Sequence, residues 1–262
     1  MVYMMLVRNI FLSTFVFVAT LIATDPAARP AATQEPAAAA QDAAQDAKDP
    51  YPMMAPIEQY LMDRDAEIAL ARGAAPDAIS KDASVFVLTR RGYVTAAQGT
   101  NGWVCWVGRS WGAMFDHPEF WNPKVRAAEC INPPAVRSVL PYAFKRTELV
   151  LAGRSKAEVI AGLKAAIDKK ELPAVEPGTV SYMMSKGSYL TDQGGHNMPH
   201  MMFYETADAA AWGANLTNSP VMGANYWCLS ADVCPQLKSF PPLTVFLIGA
   251  DKWSDGTAGP TM

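Results

Sequence analysis

"SVFVLTRRGYVTAAQGTNGWVCWVG", residues 84–108, decides the fold class. Runs at 85–88, 93–97 and 103–107 are rich in Val, Phe, Tyr and Trp, and "RRG" and "GTNG" separate them. β-Branched and aromatic runs bounded by turn residues read as strands. Asn101-Gly102 is a strong hairpin dipeptide. The stretch therefore predicts a three-stranded antiparallel meander.

Upstream, Ile57, Tyr60, Leu61, Ile68 and Ala71 recur near a 3.6-residue period, with Gly73 and Pro76 beyond. That spacing predicts an amphipathic helix over 56–73. Downstream, 110–134 is rich in proline and aromatic residues and reads as an irregular packed connection. Two helices are expected next. The first covers about 135–151, and the second opens on the capping box "SKAE" at Ser155 and Glu158, with Val159, Ile160, Leu163 and Ile167 as its apolar stripe. Strands are expected at 180–184, 200–204 and 243–248, with 209–237 as a long loop pinned by a cysteine pair. The predicted class is α+β, a mostly antiparallel sheet with two or three packed helices.

A chain of 262 residues that is 50% hydrophobic can bury a substantial core. Its net charge of -3 and the lack of a Lys/Arg stripe argue against nucleic acid as a partner. Arg8 followed by "IFLSTFVFVATLIA" reads as a signal peptide over 1–23, with an uncleaved membrane anchor as the alternative. Residues 24–50, almost wholly Ala, Pro, Gln, Asp and Thr, lack the apolar side chains to offset ordering entropy and read as a disordered tether. Residues 51–262 are then one exported α+β domain, periplasmic or extracellular.

Export makes the four cysteines candidates for disulfides. Cys105 with Cys130 and Cys228 with Cys234 is the favoured pairing, because each pair closes a short loop. Zinc binding competes, but no C-x-x-C occurs.

"GGHNMPHMMFY", 194–204, holds two of the three histidines. Gly194, Gly195 and Pro199 disfavour a helix there. A straight strand would part the Cα atoms of His196 and His200 by roughly 13 Å, too far for one ion. Only a tight turn at "HNMPH" lets both imidazoles converge, and Met198 and Met201 then offer thioethers, a soft donor set suited to copper and, less so, to zinc. The alternative is a loop leading into a core strand. "GRSWG", 108–112, matches the G-x-S-x-G nucleophile elbow at Ser110, but prolines rather than a helix follow it. His117 between Asp116 and Glu119 reads as a capped turn. Trp103 and Trp106 differ by an odd number and so face opposite sides of a strand.

The chain resembles a group of exported bacterial proteins that carry no assigned activity. The resemblance rests on G-T-N-G-aromatic-x-C (Gly99 to Cys105), Cys130, Y-M-x-S (Tyr182 to Ser185) and G-H-x-x-P-H-x-M-F (Gly195 to Phe203), and it covers roughly 78–222. It implies a role for His196 and His200 and supports pairing Cys105 with Cys130. The leading expectation is a small-ligand or metal-binding protein. The alternatives are a hydrolase using Ser110 or a histidine base, and a structural or interaction protein of the cell envelope.

Overall fold

A computed structural model describes residues 50–193, 198–229 and 234–260. The expected signal and nearly all of the tether lie outside these residues, as does His196.

Ser84–Thr89 (β1) and Gly92–Ala97 (β2) form the expected antiparallel hairpin, which Gly92 turns at φ 111°. Val104–Gly108 (β3) does not continue the meander. It lies on the other side of β1 and runs parallel to it, pairing Val104 with Ser84 and Cys105 with Val85. The cause is where the polar turn residues find partners. The amides of Thr100 and Asn101 donate to the Asp82 carbonyl, the Gly99 amide to Ser84 Oγ, and Asn101 Nδ2 to the Ile79 carbonyl. "GTNG" is thereby tied to the segment entering β1, and the chain crosses over instead of folding back.

Ala127–Ile131 (β4) emerges from the stretch expected to be irregular and pairs antiparallel with β3 at five positions. Val180–Met183 (β5), His200–Glu205 (β6), Val221–Asn225 (β7) and Thr244–Gly249 (β8) complete one eight-stranded sheet in the order β2-β1-β3-β4-β5-β6-β8-β7. Every neighbouring pair except β1/β3 is antiparallel. β7 falls inside the region expected to be loop.

The opening helix is shorter than its periodicity implied. Asp63 accepts from the amides of Asp65 and Ala66 and so caps a helix that starts only at Arg64–Arg72 (α1), behind a 3-10 turn at Ile57–Gln59. A one-turn helix, Asp77–Ser80 (α2), follows. The helix expected over 135–151 is divided at Val139 into Pro133–Ser138 (α3), capped by Asn132, and Leu140–Leu151 (α4). Lys156–Asp168 (α5) has the expected capping box between Ser155 and Glu158.

Strand alternation separates two cores. Val85, Cys105, Val107, Ala128 and Cys130 face α1 and the alanines Ala71, Ala74 and Ala75. Leu88, Val104, Trp106 and Ile131 face the opposite way, toward Trp111, Phe120, Leu140, Tyr142 and Leu163. Phe144 stacks on Tyr93 and meets Phe86 edge-on, which seats α4 on the β1/β2 hairpin. Both disulfides have the expected pairing, Cys105–Cys130 at directly opposed positions of β3 and β4, and Cys228–Cys234 between β7 and β8.

Candidate functional site

His200 opens β6 behind Pro199 and is 5% exposed. It pairs with Met183 on β5 and with Gly249 on β8. Alternation places His200, Met202 and Tyr204 on the α4/α5 side of the sheet, and Met201 and Phe203 on the other. His200 Nδ1 lies 2.7 Å from the Met198 carbonyl. A carbonyl only accepts, so Nδ1 carries the proton and Nε2 keeps its lone pair. Burial holds the imidazole pKa below its ordinary value, so the ring is neutral at physiological pH. An imidazole fixed by a carbonyl at one nitrogen and bare at the other is how proteins present histidine to a metal.

The expected donor set is rearranged by the strand. Met201 points away from His200, and Met198 supplies its carbonyl to the ring. Met183, directly across from His200, and Met202, two residues on, share the imidazole's side. Their Cβ atoms lie about 5 Å and about 7 Å from that of His200 by strand geometry. From sequence, register was the missing quantity, because adjacent methionines exchange faces with a one-residue shift.

The same face carries an acid. Glu129 pairs with Trp106, and the next antiparallel step sets it beside Met183, so Trp106, Glu129, Met183 and His200 form one row. The Tyr204 hydroxyl donates to Glu129 Oε1 at 2.8 Å and lies 3.3 Å from Ser181 Oγ. Burial raises the Glu129 pKa above the ordinary carboxyl value, opposed by the hydrogen bonds from Tyr204 and Ser181, and it raises that of Tyr204 well above the ordinary phenol value. Glu129, Ser181 and Tyr204 were not singled out from sequence. The available sign was one acid in the apolar run "AAECI", legible only once that run is read as a strand.

Ser110 lies in the short 3-10 turn Ser110–Gly112. It is 1% exposed, and its hydroxyl has no hydrogen-bond partner among the described residues. No described histidine or carboxylate activates it. His117 Nδ1 accepts from the Glu119 amide, as a capped turn requires. Trp103 and Trp106 pack on opposite faces, and Trp111 and Trp121 are core. Asp116, Cys228 and Cys234 bring three potential ligand atoms within 4.8 Å of one another. Both sulfurs are in a disulfide, however, and Asp116 accepts from the Leu229 amide, so no thiolate is offered there. A cavity of about 380 Å³ beside Arg90, Arg91, Tyr93, Phe144 and Glu148 contains none of the expected site residues.

Comparison with family models, curated proteins and solved structures finds no match to this chain. No described helix is long and apolar enough to cross a membrane.

Proposed function

We propose that this is an exported binding protein that takes up a soft metal ion, copper in particular, at the start of β6. His200 Nε2 is the nitrogen donor, and Met183 and Met202 supply thioether sulfur in place of Met198 and Met201. The observation that carries the reading is the His200 Nδ1 contact to the Met198 carbonyl, which leaves a neutral, oriented nitrogen on the face shared with two methionines. Thioether and imidazole together favour copper over zinc, magnesium or calcium. His196, outside the described residues, stays in the proposal as a further ligand from the adjoining segment. Two disulfides agree with an oxidising compartment. Residues 1–23 direct export in this reading, and 24–50 link the domain to the membrane if the signal is retained.

The test is copper content of the exported protein by elemental analysis, together with Cu(I) competition against bathocuproine disulfonate. One ion per chain is expected. It should be lost in His200→Ala, weakened about tenfold or more in Met183→Leu and Met202→Leu, and unchanged in Met201→Leu. No bound copper, or equal effects of Met201→Leu and Met183→Leu, would refute the proposal.

A further inference from the structure

Asp116 meets the Cys228–Cys234 disulfide across a long stretch of sequence. Its Oδ1 accepts from the Leu229 amide at 2.7 Å, which brings the carboxylate beside the cysteine pair. One ligand atom from each of the three residues lies within 4.8 Å of the others, and no other three histidine, cysteine or acidic residues among those described are grouped so closely. The cysteines are 3% and 4% exposed, whereas Asp116 is partly exposed. The cluster therefore meets solvent on its acid side.

The backbone at both cysteines is held without the sulfur–sulfur bond. Asn225 Oδ1 accepts from the amides of Trp227 and Cys228 at 2.8 and 3.3 Å, and the Trp227 carbonyl accepts from the Phe115 amide at 2.8 Å. On the other side, the Leu237 amide donates to the Cys234 carbonyl at 3.0 Å in the 3-10 turn Pro235–Ser239, and Leu237 is buried in the core. Cutting the disulfide thus leaves two thiolates held close together. Their Cα atoms stand 6.4 Å apart, toward the wide end of the roughly 4.4–6.8 Å that disulfides bridge, so the sulfurs have room to part. Around a tetrahedral zinc ion, ligand atoms about 2.0–2.3 Å from the metal stand roughly 3.3–3.8 Å from one another. Three corners are filled once the sulfurs part to that spacing and the carboxylate draws in by about an ångström.

We propose that Cys228, Cys234 and Asp116 form a zinc site when the disulfide is reduced, so that one centre alternates between a cross-link and a metal. The reductant is a dithiol. One of its thiolates attacks a cysteine sulfur and expels the other as thiolate, and its second thiolate then displaces the first. The dithiol leaves as a disulfide, both cysteines are reduced, and zinc displaces their remaining protons to solvent. Two thiolates and one carboxylate suit zinc, with water in the fourth position. The hard carboxylate disfavours Cu(I), and the inference stands apart from the copper reading of His200.

The test is anaerobic treatment of the exported protein with dithiothreitol, desalting, and zinc titration against a chromophoric chelator, with alkylation and mass spectrometry reporting the state of Cys228 and Cys234. Reduction should add one zinc per chain over the oxidised protein. Cys228→Ser/Cys234→Ser, treated identically, should gain none, which separates this site from Cys105, Cys130 and the histidines. Asp116→Asn keeps an acceptor for the Leu229 amide and loses the charge. It should weaken binding about tenfold or more, since losses of that order follow even from removing a group that only supports a ligand. The same variant distinguishes a folded site from the thiolates of an unfolded chain, in which Asp116 is too remote to matter. A disulfide that resists the dithiol, no zinc gained on reduction, equal gain in Cys228→Ser/Cys234→Ser, or unchanged affinity in Asp116→Asn would each overturn the inference.

Discussion

Removing the two disulfides separately should destabilise the protein by unequal amounts, in the order of the loops they close. Cys105–Cys130 spans 25 residues and Cys228–Cys234 spans 6. On the chain-entropy relation, restoring freedom to the unfolded loop costs the folded state about 3.5 kcal/mol for the first and about 2.2 kcal/mol for the second. Packing adds to both. Cys105 and Cys130 are fully buried against Ala71, Val85 and Val107, so cutting both back to alanine also leaves a small void, worth roughly a further 1 kcal/mol. Cys105→Ala/Cys130→Ala should therefore lose about 4.5 kcal/mol, or a Tm drop of roughly 9–18 °C for a domain of this size. Cys228 and Cys234, 3% and 4% exposed, leave a similar void, so Cys228→Ala/Cys234→Ala should lose about 3.2 kcal/mol. Urea unfolding followed by tryptophan fluorescence measures both, with the slope checked for constancy. Equal losses, or a larger loss from the shorter loop, would refute the assignment of the stability difference to loop length.

Three further outcomes are expected. Because burial raises the folded-state pKa of Glu129, its contribution to stability is fully present below about pH 4.5, the unfolded value, and declines as pH rises through the folded value. Glu129→Gln should thus gain on the parent protein between pH 4 and pH 7 in urea titrations, by up to ~1.4 kcal/mol per unit of elevation before solvent screening, and a pH-independent difference would contradict this. Arg109 and Glu67 pair at 2.9 Å with side chains 0% and 1% exposed. Arg109→Met strands the Glu67 charge and should cost about 3–5 kcal/mol, with much of it recovered in Glu67→Gln/Arg109→Met; a single-variant loss under about 1 kcal/mol would argue against a charged Glu67. Gly99→Ala would drive its Cβ to between 2.2 and 2.4 Å of backbone atoms of Asp82, Ala83 and Ser84, so a melting point lowered by roughly 3 kcal/mol of stability is expected, and an unchanged one would mean that the crossover is looser than described.

The elements most legible from sequence were those whose signals are local. The capping box at Ser155 and Glu158, the β1/β2 hairpin and the β-rich runs of β5, β6 and β8 all rest on residues a few positions apart. What escaped depends on distant partners. β4, "AAECI", has little intrinsic strand preference and is held by its ladder to β3. "GTNG" has the chemistry of a hairpin turn, yet Asp82 and Ile79 decide its direction. The candidate site follows the same division. His200 stood out as one of few histidines, whereas the choice of Met183 and Met202 over Met201 required strand register, and the approach of Asp116 to Cys228 and Cys234 joins distant parts of the chain.

Glu205 and Thr244 form the last pair of the β6/β8 ladder, so the backbone leaves the sheet and returns one strand spacing away. Topologically, 206–243 is a hairpin loop enlarged into a cassette. It carries the edge strand β7 and its own cross-link, and it places Trp227, Leu237 and Phe240 over the core. Such a piece of chain can be lengthened or exchanged while the order of β2 through β6 stays as it is. Cys228 and Cys234 belong to the cassette and Asp116 to the scaffold, so remodelling the loop would change what meets that carboxylate without moving it.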